Sequence, residues 1–128
     1  HLGKNTKSTQ VINNVADSKA TATCNGRIVI DNGSSKADAS LSNKNLALGD
    51  NVTFNAKPEL EIYNDDVSCS HGATISQLSE SELFYLTSRG VHPARAKNMM
   101  ARGFLNEAIS GALQEISTHR LESFFPKI

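Results

Sequence analysis

Two patterns of hydrophobic positions divide the chain near residue 78. Before that point, apolar residues form clusters of two or three that alternate with polar ones, as Ile28 does with Ile30 and Leu60 with Ile62. A period of two residues predicts β-strands, and frequent turn signals between the clusters predict many short ones. The turn signals are Asn25-Gly26, Asn32-Gly33, Gly49-Asp50-Asn51 and Asn64-Asp65-Asp66.

Two architectures fit residues 1–78. In a β-sandwich, Asn25-Gly26 would form the tight turn of a hairpin. In a parallel β-helix the strands are shorter and Asn-rich turns recur, because each coil stacks on the one before. The three-residue clusters favour the β-helix, and the sandwich remains the alternative.

Residues 79–128 are predicted to be helical. Ser79 and Glu82 have the spacing of a capping box, and Arg89-Gly90 supplies a cation and a C-terminal glycine, so a short helix is expected between them. Pro93 is tolerated at the first position of a second helix, predicted from about 93 to 110. Its apolar stripe consists of Ala96, Met99, Met100, Phe104, Leu105, Ala108 and Ile109.

A third helix is predicted before Pro126, which would end it. Its apolar residues are Leu113, Ile116, Leu121, Phe124 and Phe125. The helical residues expected to lie in a core are Phe84, Met99, Met100 and Phe104. A helical cluster at this place would cover the open end of a β-solenoid.

Composition narrows the possible functions. Thirteen basic residues balance thirteen acidic ones without a basic patch, which argues against a nucleic-acid binder. No apolar run approaches the roughly 20 residues of a membrane-spanning helix. Cys24 and Cys69 are too few for a disulfide scaffold and too far apart for a CxxC site, so we expect free thiols in a reducing cytosol. Because the chain begins with His1 rather than Met, we expect a fragment or a processed chain.

Residues 63–74, YNDDVSCSHGAT, hold most of the candidate chemistry. If this segment is a strand, Cys69 and His71 share one face and could both bind a soft metal. A closed zinc site needs four ligands, so such a metal would be transient or shared with a partner. The alternative is that Cys69 is a small buried residue and His71 a hydrogen-bonded one. A catalytic Cys–His dyad is disfavoured, since alternate strand residues lie roughly 6.5–7 Å apart. Asp65-Asp66 is expected to form an Asx-type turn.

Three segments together resemble the SufB/SufD family of iron–sulfur cluster assembly proteins. They are KPELEIYNDDVSCSHGAT (57–74), LFYLTSRGV (83–91) and FLNEAI (104–109), and the upstream NGRIVI and SNKNLALGDN fit the same family. The CSHG block resembles the SufD branch rather than SufB. The resemblance implies a right-handed parallel β-helix over residues 1–78, a helical subdomain over 79–128, and a chain equivalent to about the C-terminal third of family members. On that basis Asn25-Gly26 would be a bend within the β-helix.

The resemblance also implies a function. The chain would be a non-enzymatic, cytoplasmic scaffold subunit that pairs with SufB through its β-helix and binds the SufC ATPase through its helices. His71 would lie at the SufB interface where a transient iron–sulfur cluster is built, with Cys69 the weaker candidate and no cofactor tightly bound. Arg89 and Gly90 are the candidates for contact with the ATPase. In isolation the chain could form a homodimer.

The sequence leaves two other functional classes open. A β-helix enzyme acting on polysaccharides normally uses aromatic platforms and clustered carboxylates. This chain has no Trp, two Tyr and one adjacent acidic pair, which argues against it. The other class is a self-associating structural solenoid with no role in metal chemistry.

Overall fold

The computed structural model describes residues 1–109, in which five β-strands precede two α-helices. The strands are β1 (Lys7–Ala16), β2 (Thr21–Ile30), β3 (Ala37–Ala47), β4 (Thr53–Ile62) and β5 (Val67–Gln77), and the helices are α1 (Glu80–Ser88) and α2 (Pro93–Asn106). Each strand has 10 or 11 residues, longer than the apolar clusters suggested, because neighbouring Asn, Ser and Thr residues extend it. Within the described residues no helix is long and apolar enough to cross a membrane.

The strands form two parallel sheets, one ordered β1-β3-β5 and the other β2-β4. Consecutive strands alternate between the sheets, and each pairs with the strand two elements later, about 30 residues further along the chain. Among the described strands none pairs with its neighbour in sequence, so the hairpin sandwich is wrong. The chain is mainly β, with parallel strands in two open sheets.

Asn25 and Gly26 lie inside β2, and both the predicted hairpin turn and the predicted bend are wrong there. The glycine meets a packing requirement instead. A Cβ built on Gly26 would lie 2.6 Å from the Cδ1 atom of Leu41 on β3, so the glycine lets the two sheets approach each other. The other three turn signals are confirmed, since each lies between two strands.

The core lies between the two sheets. Alternate residues of each strand point inwards, which places Ile28 and Ile30 of β2 against Ala37, Ala39 and Leu41 of β3. Leu60, Val67 and Cys69 pack against this cluster from the next strands. The predicted alternation therefore identifies the buried face of these strands.

Further along β3 the interior becomes polar. Asn43 and Asn45 are each 2% exposed. The Asn14 amide donates to the Oδ1 atoms of Asn43 (3.2 Å) and Asn45 (2.9 Å), and the Asn45 amide donates to the Thr74 carbonyl at 2.9 Å. These bonds join all three strands of the larger sheet and offset the cost of burying amides.

The helix ends follow the sequence signals. Ser79 caps α1 and accepts a hydrogen bond from the Glu82 amide at 3.3 Å, which confirms the predicted start. Arg89 is the C-terminal cap, and Gly90 follows with φ of 85°, a left-handed conformation that favours glycine. Pro93 begins α2, which ends at Asn106, short of the predicted residue 110. The predicted third helix lies outside the described residues.

The prediction of core positions on α2 is partly wrong. Its buried residues are Ala96 and Ala101, which lie about 140° apart around the helix. Met100 and Phe104 fall within that arc and are half-buried, whereas Met99 falls outside it and is 47% exposed. Met99 is therefore a surface residue, and on α1 Phe84 is also exposed, at 71%.

Candidate interface at the edge strand

Strand β5 forms one edge of the three-stranded sheet. It pairs with β3 on one side, and within residues 1–109 no strand pairs with its other side. Every residue of β5 except Val67 and Cys69 is exposed. An edge strand offers unpaired N–H and C=O groups to another strand. This is therefore a surface on which a further strand could be added.

His71 lies in the middle of this edge, on the inward face of the sheet. Across the sheet it is in register with Leu41, and Leu41 with Gln10. Leu41 is 3% exposed in the core, but His71 occupies the outermost strand and is exposed. Its imidazole makes no hydrogen bond with any described residue.

Cys69 shares the inward face of β5 with His71, as predicted. Its register partner is Ala39, which is 1% exposed, and the thiol packs half-buried against the core cluster. Cys24 on β2 is also a half-buried free thiol. The packing of Cys69 fits the prediction of a small core residue, while the exposed His71 differs from the hydrogen-bonded alternative.

The described residues contain no group of three or more His, Cys, Asp or Glu side chains that could hold a metal ion. Asp65 and Asp66 lie in the turn before β5, and Asn64 makes the Asx interaction there, since its Oδ1 accepts the Asp66 amide at 2.9 Å. The Asp66 carbonyl accepts the Lys36 amide at 2.6 Å. The turn at residues 64–66 is therefore bonded to the turn before β3, and this bond positions the first residue of β5.

Two exposed isoleucines near this edge were missed by the sequence reasoning. Ile75 of β5 is 60% exposed although its register partner Asn45 is buried, and Ile62 at the end of β4 is 45% exposed. Both continue the inward-facing alternation of their strands. Large apolar side chains on the inward face of an outermost layer are residues that a covering strand would bury.

Arg89 and Gly90 lie at the end of α1, separate in sequence from the edge strand. The Arg89 guanidinium lies 3.8 Å from the centre of the Tyr85 ring, a cation–π contact, and Tyr85 is 54% exposed. His92 is exposed and caps α2, because its Nδ1 accepts the Ala94 amide at 3.3 Å. The proline that follows it was the available signal for that cap.

Comparison with known proteins identifies the family. A model of the SufBD core domain of the SUF system for FeS cluster assembly matches residues 1–104. The chain belongs to the SufB/SufD family. The iron–sulfur cluster assembly protein SufD of Escherichia coli K12 is 38% identical over 100 residues, covering 78% of this chain and 24% of that protein.

Relatives of both branches occur. A SufBD family protein of Synechocystis is 39% identical over 95 residues, covering 74% of this chain and 21% of that protein. SufB of Bacillus subtilis is 32% identical over 105 residues, covering 82% of this chain and 23% of that protein. The chain thus spans about a quarter or less of the length of these relatives. The family resemblance read from the sequence motifs is confirmed.

Proposed function

We propose that this chain belongs to a SufD-like scaffold subunit that assists the assembly of iron–sulfur clusters and has no enzymatic activity of its own. The observation that carries the proposal is His71, an exposed imidazole without a described partner, on the inward face of β5, the edge strand among those described. Cys69 and His71 are too few to hold a cluster by themselves. The remaining ligands would come from a second chain, and the cluster would be cargo rather than a resident cofactor.

The partner at this edge would be a SufB-like subunit. Alternation of consecutive strands between two parallel sheets, with pairing about 30 residues apart, supports the proposal that these strands are coils of a right-handed parallel β-helix. A strand of the partner added beside β5 would satisfy its free backbone groups and cover Ile75. In isolation two copies of this chain would pair through the same edge.

A SufC-like ATPase would bind the helical part. The exposed Phe84, Tyr85 and Arg89 of this part are residue types that dominate protein–protein contacts. ATP-driven movement of that partner would reach the sheets through the helices and open the edge at His71. Free thiols at both cysteines support a cytoplasmic location, where thiols are kept reduced.

The test of His71 is anaerobic cluster assembly with the native subunit in its complex. His71→Ala should lower the yield of clusters while the complex still co-purifies. The matched control is Ser70→Ala, which changes an exposed side chain on the opposite face of the same strand. Unchanged cluster formation by His71→Ala in an intact complex would remove His71 from the mechanism.

The test of the edge is co-purification with the SufB-like subunit. Ile75→Lys places a charge on the face that a covering strand would bury, so the yield of complex should fall at least tenfold. Ser70→Lys introduces the same charge on the outward face and should leave the yield close to wild type. Equal yields from the two variants would place the partner elsewhere.

A further inference from the structure

Besides the packing of the buried arc of α2, the helical part is bonded to the three-stranded sheet at two separate places. The first is covalent, since β5 ends at Gln77 and α1 begins at Glu80, leaving a connection of two residues. Leu78 in that connection donates its amide to the Ala47 carbonyl at 3.0 Å. Such a short connection can act as a hinge, but by itself it does not fix where α2 lies.

The second attachment is made by two side chains on the outward face of the sheet. The Asn13 amide of β1 donates to the Phe104 carbonyl at 2.7 Å. The Lys44 ammonium of β3 donates to Glu107 Oε1 at 2.6 Å. Asn13 and Lys44 are register partners, so the two contacts lie side by side and both hold the carboxyl end of α2.

Both contacts suit the chemistry of a helix end. Phe104 is among the last four residues of the helical turns, whose carbonyls lack an intrahelical partner, and the Asn13 amide satisfies one of them. A lysine near the negative end of the helix dipole is favourable. Among the described residues the buried Oδ1 atom of Asn13 has no hydrogen-bond partner, so the bond to Phe104 is the one hydrogen bond recorded there for this side chain.

We propose that Asn13 and Lys44 form a coupling contact that makes the helices and the edge strand move as one body. The proposal rests on the proposed function, because it assigns to these residues the transmission of movement from an ATP-hydrolysing partner. Lys44 is in register with Thr74 of β5, three residues after His71. A displacement of α2 is therefore passed to the sheet beside His71, whereas without the contact α2 is held only by its apolar packing and by the connection at Leu78 and Ser79.

The contact is tested first by hydrogen exchange in the native subunit without partners. In Asn13→Ala combined with Lys44→Glu, amides in the last turn of α2 should exchange about five- to tenfold faster, the factor that one net hydrogen bond provides. Amides of β2 and β4 should be unchanged. The control is Lys57→Ala, which removes an exposed ion pair with Glu59 on the other sheet. Unchanged exchange at the end of α2 would overturn the proposal.

Coupling is then measured in the complex with the SufB-like and ATPase partners. In the wild type, ATP should change the hydrogen-exchange rate of β5 amides. The double variant should lose that change. It should still bind the ATPase with an affinity within about twofold of wild type. Adding Glu107→Lys to that double variant should restore part of the change, because the ion pair is rebuilt in reverse. The coupling would be overturned if the double variant still showed the ATP-dependent change in β5 exchange, or if the charge swap restored none of that change. Either result would leave the proposed function standing. A wild-type subunit that binds no ATPase would refute the proposed function itself.

Discussion

Replacing Gly26 with alanine should destabilise the chain, because the added methyl group would collide with the core between the two sheets. A Cβ at this position would lie 2.6 Å from Leu41 Cδ1 and 3.5 Å from Leu41 Cδ2. Leu41 is 3% exposed and packs with Ile28 and Ala39, so its methyl groups have little space to move. The clash must be relieved by a poorer Leu41 rotamer or by a wider gap between β2 and β3.

Two effects of opposite sign set the size of the change. Overpacking a core costs about 1–3 kcal/mol. Alanine regains about 0.5–1 kcal/mol relative to glycine inside a strand, because the unfolded chain loses less freedom on folding. The net loss is therefore about 0–2.5 kcal/mol, and the burial of Leu41 favours the upper half of that range.

Urea unfolding followed by circular dichroism measures this free energy. Gly72→Ala is the matched control, since a Cβ on Gly72 of the edge strand meets nothing within 4 Å. That variant should be neutral or more stable by about 0.4–1 kcal/mol. In a Leu41→Ala background the clash is gone, so Gly26→Ala should then cost less than it does alone. Equal stability of the Gly26→Ala and Gly72→Ala variants would refute the packing explanation.

Three further predictions concern other parts of the chain. Asn45→Ala should lower the free energy of urea unfolding by about 1–3 kcal/mol, because the buried Asn45 side chain loses its hydrogen bonds with Asn14 and Thr74. Ser79→Ala should reduce the stability of α1 by about 0.5–2 kcal/mol, as judged by hydrogen exchange. The control Ser81→Ala keeps the Ser79 cap and should change the stability of α1 little. A hydrogen bond from Lys57 and then its charge lower the pKa of Glu59 from 4.5. Stability from that pair is therefore present above pH 4.5 and is lost as the pH falls through the folded-state pKa. Lys57→Ala should raise the Glu59 midpoint seen by NMR; an unmoved midpoint would contradict the assigned cause.

Local signals predicted the elements whose causes are local. Alternation at Ile28 and Ile30 marked the inward face of β2 because side chains of a strand point to opposite sides in turn. Ser79 marked the start of α1 because its hydroxyl serves an amide three residues away. The family motifs added the identity that these patterns could not supply.

Features that depend on distant residues were predicted less well. Asn25-Gly26 is a strong turn signal by itself, but the pairing of β2 with β4 places both residues in a strand. The glycine is needed there because Leu41, fifteen positions later in the chain, approaches closely. The apolar stripe of α2 predicted which side of the helix is apolar, but not how much of that side its neighbours cover. Met99 was therefore predicted to be in the core, although it is 47% exposed. Asn13 gave no signal at all, because its partner Phe104 is 91 residues away.

What His71 can bind depends on the position of its strand at the edge of the sheet as well as on its position within that strand. Gln10, Leu41 and His71 form one row across the three strands, and the apolar member occupies the middle strand while the polar members occupy the edges. A strand added beyond β5 would turn His71 into a middle member of that row and cover it more than the present edge does. Burying a polar group costs about 1–3 kcal/mol unless it is hydrogen-bonded or ligated. A partner that covers this edge must therefore bring an acceptor, a donor or a metal-bound group to the imidazole, and this requirement is what makes His71, rather than the already packed Cys69, the residue to test first.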